Sequence, residues 1–194
     1  MIPMSLASAR EQTLVEEHLK SLQGHDRYLR FGAMLSDEAI VKYVEQSWGG
    51  PNEWLGIIED RRVIAVVHVA REGDNKAELG LSVDPEWRGQ HLGQALFERA
   101  VVYLKAHQVR DVYMHCLSEN AIMKHIARKN LMQMVTEHGE VDADLILPKG
   151  NSIDRYQEVF MHTMSLYDNN ARQMSSMWRQ ILGVDHAQAE TNDR

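Results

Sequence analysis

The chain has 194 residues, which suggests one domain with an appendage, and its 44% apolar content supports a real core. Its 21 basic and 28 acidic residues give a net charge of −7, which favours cationic partners such as amines and excludes a main role in nucleic-acid binding, because that role requires clustered positive charge. We expect neither a membrane span nor a signal peptide, and the single cysteine, Cys116, excludes an internal disulfide and suggests a cytoplasmic protein.

Two amphipathic helices are predicted in the first quarter of the chain. The first covers residues 8–22, where apolar side chains recur at helical spacing, and Gly24 is a plausible stop signal. The second begins near Ser36, a good N-cap residue, and ends at the Gly-Gly-Pro of residues 49–51. Residues 26–31 between them have no clean period. A strand in residues 2–6 has little support from the sequence.

Three strand-like runs follow in close order, at residues 53–59, 62–71 and 76–84. The second run is apolar on both faces, which is typical of a central strand. In the third run Glu78, Gly80 and Ser82 share one face, because side chains alternate along a strand.

The period becomes helical from Arg88 through about Gln108. A strand, a short helix and a terminal hairpin then follow, at residues 109–117, 120–129, 131–137 and 141–147. The order α-α-β-β-β-α-β-α-β-β predicts an α/β domain over residues 1–148.

Beyond Gly150 the pattern is helical, and apolar residues from Ile153 to Ile181 repeat in steps of three and four. Asn169 and its neighbours suggest a break into two helices. A helical hairpin that buries this stripe against the domain and a dimerisation element both fit the pattern. We expect this extension to cover residues 149–186 and a disordered polar tail to cover residues 187–194.

The most informative stretch joins the third strand to the long helix. A loop with Arg88, Gly89 and Gly93 opens directly into the helix, whose first amides have no internal partners and carry the positive end of the helix dipole. A phosphate or pyrophosphate is a natural ligand at such a position. The spacing by itself is equally consistent with an ordinary helix start, and it matches neither a Walker A loop nor a dinucleotide fingerprint.

This stretch, Val83-Asp84-Pro85-Glu86-Trp87-Arg88-Gly89-Gln90-His91-Leu92-Gly93, resembles the acetyl-CoA binding motif of the GCN5-related N-acetyltransferase (GNAT) superfamily. The predicted order of elements is similar to that of the family over roughly residues 1–148. Residues 26–31, together with Asn120 and Met123, are similar to the protein-lysine acetyltransferase-like branch. The resemblance implies a GNAT-type mixed, mostly antiparallel twisted sheet flanked by helices.

The resemblance also implies where coenzyme A would bind. The main chain near Leu81 and Val83 would pair with pantetheine, in a splay between the strands at residues 76–84 and 109–117. Arg27, Tyr28 and Arg30 would border the acceptor, although simple packing explains Tyr28 equally well. The implied pyrophosphate and coenzyme-arm contacts are Arg88, Gly89, Gln90, His91, Leu92, Gly93, Gln94 and Asn120.

Two positions depart from the family pattern. His91 stands where the family usually has a glycine, so its imidazole either crowds the pyrophosphate or contacts it directly. Ala127 stands where many members have a tyrosine that protonates the leaving thiolate. The family's Gly-Phe after this helix is replaced by Leu131 and Met132.

The implied reaction is transfer of acetyl from acetyl-CoA to a primary amine by direct attack in a ternary complex. The ammonium must first lose a proton, and Glu78 suits the base by its position, although a solvated strand glutamate fits the same pattern. Backbone donors near Val83 would polarise the thioester carbonyl. A coenzyme thiol with a pKa near ~8.5, by analogy with cysteine, leaves without a strong acid.

Other classes of function remain open at this point. His91 and Ala127 favour a catalytically weak acyl-CoA-binding regulatory module as the alternative. The helical stripe favours a structural partner protein or a homodimer. The acceptor is either a small-molecule amine or a protein lysine. No pair of histidines has metal-ligand spacing on a helix, so we expect no metal.

Overall fold

The computed structural model describes residues 1–182, with side chains through Met177. The strands are β1 (Met4–Ser5), β2 (Glu53–Glu59), β3 (Arg62–Glu72), β4 (Lys76–Val83), β5 (Asp111–Leu117), β6 (Gln133–Glu137) and β7 (Glu140–Ile146). The helices are α1 (Ala9–Ser21), α2 (Gly24–Phe31), α3 (Asp37–Ser47), α4 (Leu92–Ala106), α5 (Ala121–Lys129) and α6 (Ser152–Leu182). A single 3-10 turn, Pro85–Trp87, precedes α4.

The strands form one sheet in the order β1-β2-β3-β4-β5-β7-β6. All neighbours in it are antiparallel except β4 and β5, which run parallel. Helices α1 and α3 cover one face with a core around Leu19 and Trp54, and α4 and α5 cover the other with a core around Leu96 and Phe97. The predicted α/β class and mostly antiparallel sheet are confirmed.

Local sequence signals explain most of the element boundaries. Ser8 and Glu11 form a reciprocal capping box at the start of α1, and the Ser36 hydroxyl accepts a hydrogen bond from Ala39 at the start of α3. Asp60 and Arg61 both have positive φ, which is the backbone of a tight hairpin turn between β2 and β3. The predicted N-cap at Ser36 is confirmed, and so is the close succession of the strands that Asp60 and Arg61 join.

Two elements were missed or weakly predicted. Strand β1 exists, and α2 occupies the segment without a clean period. Helix α2 has only eight residues and buries none of them fully, so its apolar residues are too few to show a period. Gly24 begins α2 instead of only ending α1. The Arg27 guanidinium fixes α2 by donating to the carbonyls of neighbouring loops and by pairing with Asp37 at 2.8 Å, so Arg27 is structural and does not border the cleft described below.

The C-terminal segment forms one helix, whereas the sequence suggested a break into two. It is a single helix without a break at Asn169, because the helix runs from Ser152 to Leu182. It packs against α4, β1 and β2 through a polar face. The fully buried Arg99 of α4 makes two hydrogen bonds to Glu158, at 2.6 and 2.8 Å, and the Ile2 amide donates to Asp168.

The predicted apolar stripe of α6 therefore faces away from the domain. Ile153, Tyr156, Phe160 and Tyr167 are each more than 60% exposed. The prediction that a helical hairpin buries this stripe is wrong, because spacing identifies a stripe but not the face that docks. The predicted tail and the side chains of Trp178 and Ile181 lie outside the described residues, and the boundary at residue 148 remains a prediction. No helix in the described part of the chain is long and apolar enough to cross a membrane.

Candidate active site

Strands β4 and β5 pair over only three residues and then separate. Their parallel register runs from Lys76 with Asp111 to Glu78 with Tyr113, and both strands continue beyond it without pairing to each other. This confirms the predicted splay and places Glu78 at the point where the two strands part. The amide of Asp84 bonds to Ile64 of β3. Because amides alternate along a strand, the backbone groups of residues 81 and 83 face the open side of the splay.

The start of α4 presents free backbone amides toward the same side. The first helical bond runs from the Ala95 amide to the His91 carbonyl, so the amides of residues 92–94 have no partner within the helix. Gly89 and His91 both have positive φ, at 77° and 60°, which turns the backbone sharply before the helix. Such a turn at a helix N-terminus is suited to an anion.

One cleft of about 390 Å³ connects the splay to the start of α4. It is lined by Glu78, Leu81, Val83, Arg88, Gly89, His91, Leu92, Gly93, Gln94 and Asn120, so all predicted site residues except Gln90 lie along it. Helix α2 also lines the cleft, through Asp26, Leu29 and Arg30, whereas Tyr28 is not part of the lining. The structure thus brings the predicted residues together, and their roles remain predictions.

Arg88 is paired across the cleft. Its guanidinium lies 2.8 Å from Asp26 of α2, and both side chains are about one-third exposed, at 37% and 27%. An anion that binds Arg88 therefore competes with an internal carboxylate.

Two predicted coenzyme contacts already have internal partners for their side chains. The Asn120 side chain accepts from Met123 as the N-cap of α5 and donates to the Leu29 carbonyl of α2 at 3.4 Å. The Gln94 and Asn130 amides bond to each other in both directions at 3.0 Å. Gln94 can therefore offer its backbone amide to a ligand, and Asn120 helps to hold α2 and α5 together across the cleft.

Glu78 lies beside a tyrosine at the splay. The Tyr113 hydroxyl donates to Glu72 and lies 3.4 Å from Oε2 of Glu78. Burial and these carboxylates raise the pKa of Tyr113, so the phenol stays protonated and remains a donor. Glu78 faces the same side of β4 as Gly80 and Ser82, as predicted.

A buried histidine fixes Ser82 on this face. The His18 ring bonds through Nδ1 to the Val63 carbonyl at 2.8 Å and through Nε2 to the Ser82 hydroxyl at 2.9 Å. Since a carbonyl only accepts, Nδ1 carries the proton and Nε2 accepts from Ser82. Burial lowers the pKa of His18 to about 4, so the ring is neutral at physiological pH.

A second series of hydrogen bonds, which the sequence analysis did not find, lies beside the His18–Ser82 pair. Arg30 donates to the Tyr43 hydroxyl at 3.1 Å, and this hydroxyl lies 2.7 Å from Nδ1 of His68. The His68 ring stacks on Trp54 with centroids 4.3 Å apart. Burial, followed by the Arg30 charge, lowers the pKa of His68 to about 3. These residues come from α2, α3, β2 and β3, so no local spacing in the sequence could reveal the series.

Strand β5, across the splay from β4, contributes two further groups to the cleft. His115 of β5 bonds to Asp142 at 2.7 Å, and this bond raises the pKa of His115. Burial raises the pKa of the Cys116 thiol, so it stays protonated. Ala127 is buried in the core, and no tyrosine is among the described residues that line the cleft.

Solved structures share this fold. The GNAT domain of PAT from S. lividans is 18% identical with a TM-score of 0.63, over 75% of this chain and 88% of that one. Phosphinothricin acetyltransferase from Sinorhizobium meliloti, in complex with acetyl-CoA, is 15% identical with a TM-score of 0.61, over 78% and 92%. PaiA N-acetyltransferase from Thermoplasma acidophilum, in complex with coenzyme A, is 15% identical with a TM-score of 0.57, over 76% and 100%.

The search of curated proteins finds no match to this sequence. The family profile for the acetyltransferase (GNAT) family matches residues 16–131, which is more than half of the chain and includes the splay and the start of α4. The chain therefore belongs to the acetyltransferase (GNAT) family.

Proposed function

We propose that this protein transfers an acetyl group from acetyl-CoA to a primary amine by direct attack in a ternary complex. The observation that carries the proposal is the continuous cleft, which joins the free amides of α4 to Glu78 at the splay. Family relatives whose structures hold acetyl-CoA or coenzyme A support the choice of co-substrate.

The amides of residues 92–94, with Arg88, would hold the pyrophosphate. The open backbone edge of β4 would hold the pantetheine arm as an added strand and place the thioester beside Glu78. Backbone donors near Val83 would stabilise the negative charge that forms on the carbonyl oxygen.

Glu78 would take the proton that the ammonium must lose, directly or through a water, and the free amine would then attack the thioester carbonyl. The carbon–sulfur bond breaks as the carbon–nitrogen bond forms, and the electron pair leaves on sulfur. Ala127 supplies no acid, and none is required, because a thiol with a pKa near ~8.5 leaves as the thiolate.

The test measures thiol release from acetyl-CoA with a panel of amines. Glu78→Gln should lower kcat by about 10²- to 10⁴-fold without changing the dissociation constant of coenzyme A, since only proton removal is lost. The deficit should shrink toward pH 10, where amines deprotonate unaided. Glu45→Gln, an equal change at an exposed site on α3, is the matched control. If coenzyme A binds but no amine is acetylated at any pH, the regulatory-module alternative replaces this proposal.

The C-terminal helix supports a homodimer as part of the proposal. Its exposed stripe repeats every three and four residues from Ile153 to Met177, over roughly 36 Å, which suits pairing with the same stripe of a second copy. Phe160→Glu combined with Tyr167→Glu should give a monomer by light scattering. Gln157→Glu with Gln173→Glu adds the same charge at exposed polar positions and should leave a dimer. A wild-type protein that is monomeric at every concentration contradicts this assignment.

The cytoplasmic location is likewise a proposal, supported by a single buried cysteine and the absence of any internal disulfide. The resemblance to the protein-lysine acetyltransferase-like branch keeps a protein lysine among the acceptors to be tested beside small amines.

A further inference from the structure

Arg30 occupies an unusual place on the acceptor side of the cleft. Its guanidinium lies directly over Gly80 of β4, where an ideal Cβ would come within 2.6 Å of Nη2 and 2.9 Å of Cζ. The missing side chain at Gly80 is therefore what makes room for the guanidinium. Both residues line the cleft, on the face of β4 that also carries Glu78.

All the groups that hold Arg30 are uncharged. Its Nη2 donates to the Tyr43 hydroxyl, and its guanidinium lies 5.0 Å from the Phe31 ring centroid and 5.8 Å from the Tyr43 ring centroid. Because the Tyr43 oxygen accepts from Arg30, its own proton is free to donate to Nδ1 of His68. This series of hydrogen bonds ends at the neutral ring of His68, so it fixes the Arg30 guanidinium without neutralising its charge.

No carboxylate in the described part of the chain lies within 4.0 Å of the Arg30 guanidinium. The two carboxylates that line the cleft have other partners: Asp26 pairs with Arg88, and Glu78 is next to the Tyr113 hydroxyl. A half-buried cation without a counter-ion is unfavourable, and the planar guanidinium is the side chain best matched to a carboxylate.

We propose that Arg30 binds a carboxylate of the acceptor, so that the acceptor is a small amino acid-like zwitterion rather than a simple alkylamine or a protein lysine. The inference rests on the proposed acetyl transfer. Glu78 and Gly80 are two residues apart on one face of β4, a separation of about 7 Å. One small molecule can therefore place its amine at Glu78 and its carboxylate at Arg30.

The test compares amines that differ only in the carboxylate. The probes are the α-amino acids with their primary amides, 4-aminobutyrate with butylamine, and a lysine-containing peptide. Turnover with acetyl-CoA is measured together with calorimetric binding of each probe to the coenzyme-A-loaded protein, so that binding gives a result whether or not turnover occurs.

In the wild type, at least one acid should be a better acceptor and ligand than its matched amide or amine. Arg30→Met should raise the KM and dissociation constant of that acid about 10- to 100-fold, the strength of a charge-assisted hydrogen bond, and leave those of the amide unchanged. Gly80→Ala should act in the same direction, because the new Cβ displaces the guanidinium without removing its charge. Arg10→Met, at an exposed position of α1, is the matched control.

Three results would overturn the inference and leave acetyl transfer standing: equal use of acids and amides, acetylation of the lysine peptide alone, or loss of both acids and amides in Arg30→Met. Selective use of succinyl-CoA that Arg30→Met abolishes would place the carboxylate on the acyl group and also overturn it. An Arg30-dependent affinity for acids without turnover of any amine would support Arg30 and overturn the proposed function instead.

Discussion

The two halves of the cleft present different kinds of chemical groups. The coenzyme half, from the end of β4 to the start of α4, offers mostly backbone amides, and the Arg88 guanidinium that lines it is held by Asp26. The acceptor half is lined by Arg30 and Ser82, whose side chains are held by residues from distant elements: His68 holds Arg30 through Tyr43, and His18 holds Ser82. The backbone amides of the coenzyme half come from one contiguous stretch of sequence. The side chains of the acceptor half come from distant positions and meet only when the protein folds.

The largest expected effect is a loss of stability at low pH, and it comes from two buried histidines that support the acceptor half. His18 and His68 are buried and neutral behind the acceptor half, with pKa values lowered to about 4 and about 3 from 6.5. The unfolded chain therefore binds more protons below pH 6.5, and stability falls as pH drops from 6.5 toward 4. A shift from 6.5 to about 4 corresponds to about 3 kcal/mol for His18.

Urea unfolding between pH 7 and pH 4 measures this effect. His18→Gln should flatten the curve relative to the wild type even though it lowers stability at pH 7, because one of the two groups that titrate is gone. His25→Gln, at an exposed position of α2, should keep the wild-type slope. Equal slopes in wild type and His18→Gln would show that the buried histidine does not set the acid sensitivity.

Variants of Arg88 and of its partner Asp26 would show whether coenzyme A binding depends on a side chain of the coenzyme half. Arg88→Met should weaken coenzyme A binding about 10- to 100-fold in calorimetry, since a charge-assisted contact to phosphate is lost. Asp26→Asn should tighten binding by up to ~5-fold, because a partly exposed ion pair that competes for Arg88 is worth about 1 kcal/mol at most. Weaker binding in Asp26→Asn would instead mean that the pair serves to hold α2 over the cleft.

The same contrast explains what the sequence could predict. The strands from residue 53 to residue 83, the start of α4 and the place of Glu78 follow from periods, turn residues and a contiguous motif. The acceptor half could not be predicted, because His18 and Ser82 are 64 positions apart and Arg30 needs the empty space above Gly80. Only packing brings such residues together.

Helix α6 shows a second limit. Its apolar spacing predicted a helix but left open whether the stripe packs on the domain or on a second copy, and the face that packs on the domain is polar. The deciding contact is the ion pair between Arg99 and Glu158, which are 59 positions apart. A polar pair of this kind leaves no periodic pattern in the sequence, whereas the exposed stripe does.

The smallest expected effects come from two residues that occupy glycine-like backbone positions. His91 at the start of α4 and Leu131 after α5 have φ of 60° and 57°, which costs an L-residue about 1–2 kcal/mol, and part of this is offset by the flexibility of glycine when unfolded. Leu131 is 85% exposed, so Leu131→Gly loses little packing. Both Leu131→Gly and His91→Gly should therefore raise the free energy of unfolding by about 0.5–1 kcal/mol.

Coenzyme A binding should separate these two variants. His91 lines the cleft and Leu131 does not, so calorimetry should show tighter binding only in His91→Gly, because loss of the Cβ lets a phosphate approach the amides of α4 more closely. Weaker binding in His91→Gly would mean that the imidazole contacts the phosphate, and the coenzyme half would then use a second side chain beside Arg88. A backbone-built site should instead keep or improve its affinity when a side chain beside it is removed.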